Sequence, residues 1–124
     1  MKNINDLTYK IIGCAYKVHS TLGSGLLEST YELCLAQEFI LKGLYFERQV
    51  GLPVVYHNSK LDAGYRIDLL VENRVILELK SIDQIAPIHK AQLLTYMKLS
   101  GKHLGLLINF NVVNLREGIV RMIL

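Results

Sequence analysis

The sequence predicts an α/β fold, a mixed β-sheet flanked by helices. Three observations predict it. Apolar residues recur every three or four positions as far as residue 42. After Gly43 the period drops towards two and the segments become rich in β-branched and aromatic residues. Helical spacing returns between Pro87 and Gly101, and another apolar strand follows.

Residues 5–21, NDLTYKIIGCAYKVHST, are expected to be a helix with Asn5 or Asp6 as its cap. Leu7, Ile11, Ala15, Val18 and Leu22 would form its apolar stripe. The GSG at 23–25 breaks the pattern. A second helix, LLESTYELCLAQEFILK, fills 26–42, and Gly43 stops it. YFERQVGLPVVYH, at 45–57, is β-rich, with Gly51 and Pro53 suggesting an irregular or edge strand. HNSK at 57–60 is a turn. LDAGYRIDLLVE and RVILELKSI are two strands joined near Asn73. Pro87 opens a helix over 88–99 that Gly101 ends. HLGLLINF, at 103–110, is a buried strand, and VVNLREGIVRMIL ends in one more short strand. The order α-α-β-β-β-α-β-β gives a three-strand meander, a helical crossover and a mixed sheet covered by helices.

The 124 residues suit one domain over 1–124, and 51% hydrophobic with 20% charged residues excludes a disordered chain. No apolar run is long enough for a membrane span, so no membrane partner is expected. MKNINDLTYK lacks the apolar core of an export signal, which makes the cytoplasm the expected location. Cys14 and Cys34 fall in helix-like stretches and are expected to pack as small hydrophobes. A net charge of +3 is compatible with a nucleic-acid partner, though no dense basic block occurs.

The chemistry concentrates in one hairpin. In YRIDLLV, Tyr65, Ile67, Leu69 and Val71 share one face, while Arg66, Asp68 and Leu70 share the other. In VILELK, Val75, Leu77 and Leu79 alternate with Ile76, Glu78 and Lys80. A three-residue loop of Glu72, Asn73 and Arg74 would pair Val71 with Val75. Counting back puts Asp68 opposite Glu78, and a one-residue slip would undo it. Two facing carboxylates repel unless compensated. Mg²⁺ or Mn²⁺, held by oxygen ligands, would supply the compensation. Lys80 on the same face would then orient a water or stabilise charge developing on a phosphate. The alternative is a wet strand face where Lys80 pairs with an exposed acid.

The helices offer further candidates. Gly25, Glu28 and Tyr31 form G-x-x-E-x-x-Y, with Glu28 and Tyr31 on one helix face. Glu28 would reach a metal on the sheet, or else act as a first-turn acid favoured by the helix dipole. GSG itself reads as a helix–helix turn rather than a phosphate loop. Gln92 and Tyr96 form Q-x-x-x-Y, and His89 precedes Gln92 by three. These three would make one polar stripe facing the sheet or its edge, or plain amphipathicity. His19, near the end of the first helix, is a candidate metal ligand or a residue interacting with the helix dipole.

Together these pieces resemble the PD-(D/E)XK nuclease superfamily and, more closely, the small bacterial proteins of the GxxExxY family. The resemblance runs from VHSTLGSGLLESTYE through GYRIDLLVENRVILELK to PIHKAQLLTYMKLSG and LGLLINF, nearly the whole chain. It implies a restriction-endonuclease-like αβββαβ core. It implies that Asp68 and Glu78 bind Mg²⁺ (or Mn²⁺) with the backbone carbonyl of Leu79, and that Glu28 completes the site. Lys80 would position the attacking water. Gln92 and Tyr96 would support the active site and the DNA backbone, with His89, Tyr31 and Arg66 as further supporting or nucleic-acid-facing residues. Two departures stand out. His19 lies nine residues before Glu28, where some branches use an upstream His as a ligand, and Ile67 replaces the proline before the first acid.

Three functions compete. The first is Mg²⁺-dependent hydrolysis of phosphodiesters in DNA. The second is a non-catalytic nucleic-acid-binding or protein-interaction module on the same fold. The third is metal-dependent hydrolysis of RNA or a nucleotide-containing small molecule. A homodimer is compatible with each, because a chain this small grips little DNA alone.

Overall fold

The computed structural model describes residues 3–124. Met1 and Lys2, which begin both the expected domain and the stretch read for an export signal, lie outside the described residues. Helix α1, Ile4–Leu22, starts one residue earlier than expected. Asn3 is its cap, accepting from the Asn5 amide at 2.7 Å, while the Asn5 side chain is taken by Arg121. Leu7, Ile11, Cys14, Ala15 and Val18 are buried along one stripe, whereas Leu22, expected there, is exposed at the helix end. Helix α2, Glu28–Lys42, buries Tyr31, Leu35, Ala36 and Phe39 and ends at Gly43, whose φ of 71° is left-handed. Both cysteines are free thiols, Cys14 buried and Cys34 half-buried.

The β-rich stretch at 45–57, expected as one irregular strand, divides. Strand β1 is Phe46–Gly51 and β2 is Val54–Tyr56. Pro53 has no N–H to give a ladder, which explains the break. β2 pairs with β3, Ser59–Leu61, through a turn at His57 and Asn58, both with positive φ. That small hairpin is inserted between β1 and β4, Arg66–Val71. Strand β5, Val75–Lys80, helix α3, Pro87–Ser100, strand β6, Leu104–Asn109, a 3-10 turn at Leu115–Gly118 and strand β7, Ile119–Ile123, complete the chain.

The main sheet runs β1-β4-β5-β6-β7. Only β5 and β6 pair in parallel, and α3 is the crossover that parallel pairing requires. The expected β4–β5 register holds, with Val71 opposite Val75 and Leu69 opposite Leu77. The loop puts both Glu72 and Asn73 at positive φ, and Arg74 donates to the Val71 carbonyl at 3.0 Å. Glu72 tolerates this because its carboxylate and amide bind the Tyr45 backbone, at 2.6 and 2.8 Å.

Both faces of the sheet are covered. Leu69, Val71, Val75, Leu77, Leu79, Leu106 and Ile108 pack under α1 and α2. Ile67, Leu70, Ile76 and Leu107 pack against Leu93, Tyr96 and Met97 of α3. Gly105 lets α3 approach closely, since a Cβ there would lie 2.8 Å from Leu93 and 2.9 Å from Met97. The expected odd–even alternation therefore fails at one place. Ile67 and Leu69 lie in different cores, and Asp68 is the residue between them.

Candidate functional site

Asp68 sits where the regular ladder stops. The β4–β5 pairing ends at Leu69 and Leu77, and the β1–β4 pairing skips Asp68 and Gln49. Side chains replace the missing backbone bonds. The Asp68 amide donates to Glu78 Oε2 at 2.9 Å, and the Leu79 amide donates to Asp68 Oδ2 at 2.8 Å. Each acid thus binds the other strand's backbone, which brings the two carboxylates together as the sequence register predicted.

Burial makes this pair costly. Glu78 is 6% exposed, and its carboxyl is pushed up to about 8, first by burial and then by the charge of Asp68. Asp68 is also raised, chiefly by burial and further by Glu32. The half-buried Lys80 opposes both shifts. A cation beside two carboxylates favours their ionised forms.

The end of β5 is firmly anchored. Asn109, 1% exposed, accepts from the Ile82 amide at 3.1 Å and donates to the Ile82 carbonyl at 3.0 Å. Ser81 Oγ donates to the Leu26 carbonyl at 2.6 Å, which ties the start of α2 to the strand end. Glu28 is exposed in the first turn of α2 and accepts from the Ser81 amide at 3.4 Å. A cleft of about 410 Å³ opens here, lined by Glu28, Ser29, Glu32, Arg48, Gln49, Asp68 and Leu79.

Other candidates divide clearly. Tyr96 is buried on the α3 side, and its hydroxyl is raised by burial and by the charges of Glu78 and Asp68. Gln92 is exposed and hydrogen-bonds Tyr96, so these two do share a stripe beside the site. His89 does not join it. Its Nδ1 accepts from the Ala86 amide at 2.8 Å, which caps α3 instead. His19 is not drawn to the carboxylates either, since its Nε2 lies 2.8 Å from the Val112 carbonyl. Tyr31 is wholly buried, stacks on Phe110 at 4.4 Å, donates to the Gly23 carbonyl at 2.7 Å and accepts from the Leu26 amide at 3.2 Å. It holds the Gly23–Gly25 turn rather than facing a ligand. Arg66 lies over Gly51, reaches Asp62 at 4.0 Å and is not among the residues that line the cleft.

The sequence reading missed Glu32, Arg48, Gln49, Ser81 and Asn109. Glu32 carried a signal, being four residues after Glu28 on the same helix face. The others had none, because their roles depend on which strand ends meet.

Among the described residues, no three His, Cys, Asp or Glu side chains converge as a metal-holding group. The donor chemistry still fits a hard divalent cation. A buried carboxylate, Glu78, and a half-buried one, Asp68, repel each other, the Leu79 carbonyl is adjacent in sequence, and Mg²⁺ commonly takes only one or two carboxylates and fills its shell with water.

No helix among the described residues is long and apolar enough to cross a membrane. A family model described as the PD-(D/E)XK nuclease superfamily matches residues 5–122. No curated protein and no solved structure matches the chain. The match takes in both carboxylate strands, Lys80, the start of α2 and the α3 crossover, all in the αβββαβ order that α2, β1, β4, β5, α3 and β6 display. With nearly its whole length matched and its mixed sheet flanked by helices, the chain belongs to the PD-(D/E)XK nuclease superfamily.

Proposed function

We propose that this protein hydrolyses phosphodiester bonds, in DNA first and RNA second, with Mg²⁺ or Mn²⁺. The reciprocal bonding of Asp68 and Glu78 across β4 and β5 carries the reading. That arrangement holds two acids together just beyond the last β4–β5 rung, with Lys80 two residues after Glu78. Asp68, Glu78 and the Leu79 carbonyl would hold the cation, which when bound would neutralise phosphate charge and lower the pKa of a water. Lys80 would orient the attacking water and offset charge on the phosphate. Glu28, exposed on the cleft rim, would contribute through water rather than directly. Tyr96 and Gln92 would close the α3 side of the site. The G-x-x-E-x-x-Y of Gly25, Glu28 and Tyr31 supports placement in the GxxExxY subfamily. We extend the proposal to one domain over residues 1–124, a cytoplasmic location and a homodimer on DNA.

The test is cleavage of single- and double-stranded DNA and of RNA with Mg²⁺ or Mn²⁺, comparing wild type with Lys80→Ala and Asp68→Ala. Loss of roughly 100-fold or more in Lys80→Ala is expected for a group acting on the reacting water. Equal cutting by wild type and both variants would sink the reading. One observation favours a second reading, a non-catalytic binding module. No third acidic side chain completes a metal-holding group among the described residues. Nucleic-acid binding that is indifferent to Mn²⁺, with no cleavage of any substrate, would support that module instead.

A further inference from the structure

Three polar side chains in the cleft have no part in the reading above: Glu32, Arg48 and Gln49. Glu32 is 6% exposed, a depth at which a charge requires partners. Arg48 gives it two, with Nε at 3.1 Å and Nη2 at 2.9 Å from Oε2. Gln49 gives a third, its Nε2 donating to Oε1 at 2.7 Å. The same Gln49 amide lies 3.4 Å from Asp68 Oδ1, while Asp68 Oδ2 takes the Leu79 amide. Both oxygens of Asp68 are therefore held, one by β5 and one by β1.

Neighbouring residues of a regular strand point to opposite faces. Arg48 and Gln49 nevertheless reach the same carboxylate. They do so because Gln49 adopts a φ of 52°, a left-handed conformation that side-chain-bearing residues rarely take. An Arg48–Glu32 ion pair alone would not need this turn. What the turn adds is the link from Glu32 to Asp68. Strained backbone gathered at a carboxylate cleft, with one amide spanning two acids, marks a positioning device.

We propose that Glu32, Arg48 and Gln49 form a positioning relay that fixes the Asp68 carboxylate for a divalent cation. The inference rests on the metal-centre reading given above. Arg48 locks Glu32, Glu32 orients the Gln49 amide, and that amide holds Asp68 Oδ1. Outer partners that orient a metal ligand commonly change metal affinity about 10–100-fold when removed.

Two variants test it, Gln49→Gly, which relieves the left-handed backbone, and Gln49→Leu, which keeps the bulk and deletes the donor. Mn²⁺ affinity is measured by calorimetry well below each melting temperature. The Leu79 amide resonance is followed by NMR in metal-free protein. The relay predicts Mn²⁺ binding weakened about tenfold or more in both variants, and a Leu79 amide shift in Gln49→Gly without metal. A merely structural Gln49 would lower the melting temperature while leaving Mn²⁺ affinity within about twofold of wild type and the Leu79 amide in place. That result overturns the relay alone. A wild type that binds no Mn²⁺ overturns the metal-centre reading, and the relay with it.

Discussion

Replacing Glu78 by Gln isolates the cost of burying its carboxylate beside Asp68. In the unfolded chain, a glutamate releases its proton near 4.5, whereas folded Glu78 keeps it until about 8. Between those values folding takes up a proton, so stability must fall as pH rises through the window. The contribution is fully present below 4.5 and lost once pH passes 8. Each tenfold change in proton affinity is worth about 1.4 kcal/mol, so the full displacement would be roughly 5 kcal/mol. Asp68, raised in the same direction, shares part of the effect, and relaxation of the site reduces it. A loss of about 2–4 kcal/mol between pH 5 and pH 8.5 is the expectation, against a total stability of about 5–15 kcal/mol for a domain.

Gln keeps an oxygen to accept from the Asp68 amide but removes the charge. Metal-free Glu78→Gln should therefore be more stable than wild type at pH 8.5 and nearly equal to it at pH 5. Urea denaturation at both pH values measures this, with a midpoint gain of about 1–2 M at pH 8.5 for an ordinary slope. Mg²⁺ should stabilise wild type at pH 8.5 more than the variant, because a ligand that binds only the folded state stabilises by mass action. Parallel loss of stability in both proteins between pH 5 and 8.5 would refute the reasoning. So would a variant less stable than wild type at both.

Tyr31→Phe removes a hydroxyl that bonds Gly23 and Leu26 but keeps the stack on Phe110, so a loss of about 1–2 kcal/mol in urea is expected. Its Mn²⁺ affinity by calorimetry should change less than its stability. Gly105→Val forces a branched side chain against Leu93 and Met97 and should cost about 1–3 kcal/mol or more, read from the melting curve. His19→Gln should leave Mn²⁺ affinity unchanged, since the ring is committed to the Val112 carbonyl. A tenfold loss there, by the same calorimetry, would return His19 to the list of ligands.

Much of this was legible because it is periodic. The α1, α2 and α3 stripes, the Gly43 and Gly101 stops and the Val71–Val75 register all follow from spacing and turn chemistry. The Asp68–Glu78 apposition followed from that register by counting. Other features were hidden, each for a physical reason. The split of 45–57 depends on β3 being available to pair with β2. His89 became a cap because the start of α3 lacks a capping side chain at Ala86. Glu32 reads as one more helix acid until β1 brings Arg48 beside it. Ile76 and Leu70 looked like companions of the polar face, but α3 turns that face into a second core.

That second core bears on why the acids lie where they do. A sheet apolar on both faces leaves no wet surface along β5 for a charge. Glu78 can occupy β5 only at the strand's end, and only if it finds donors there. The Asp68 amide becomes available because the ladder stops at Leu69, and the ladder stops because each carboxylate has taken a backbone N–H that a regular rung would have used. The break in pairing and the pairing of the acids are therefore one event. The anchors around it, Asn109 on Ile82 and Ser81 on Leu26, satisfy backbone groups that the break and the strand end leave over. Restoring the rung with Asp68→Val should consequently favour a longer β4–β5 ladder and a more stable protein, and amide exchange at Asp68's position and Leu79 would report it. Faster exchange at both sites would show that the carboxylates, not the strands, hold this end of the sheet together.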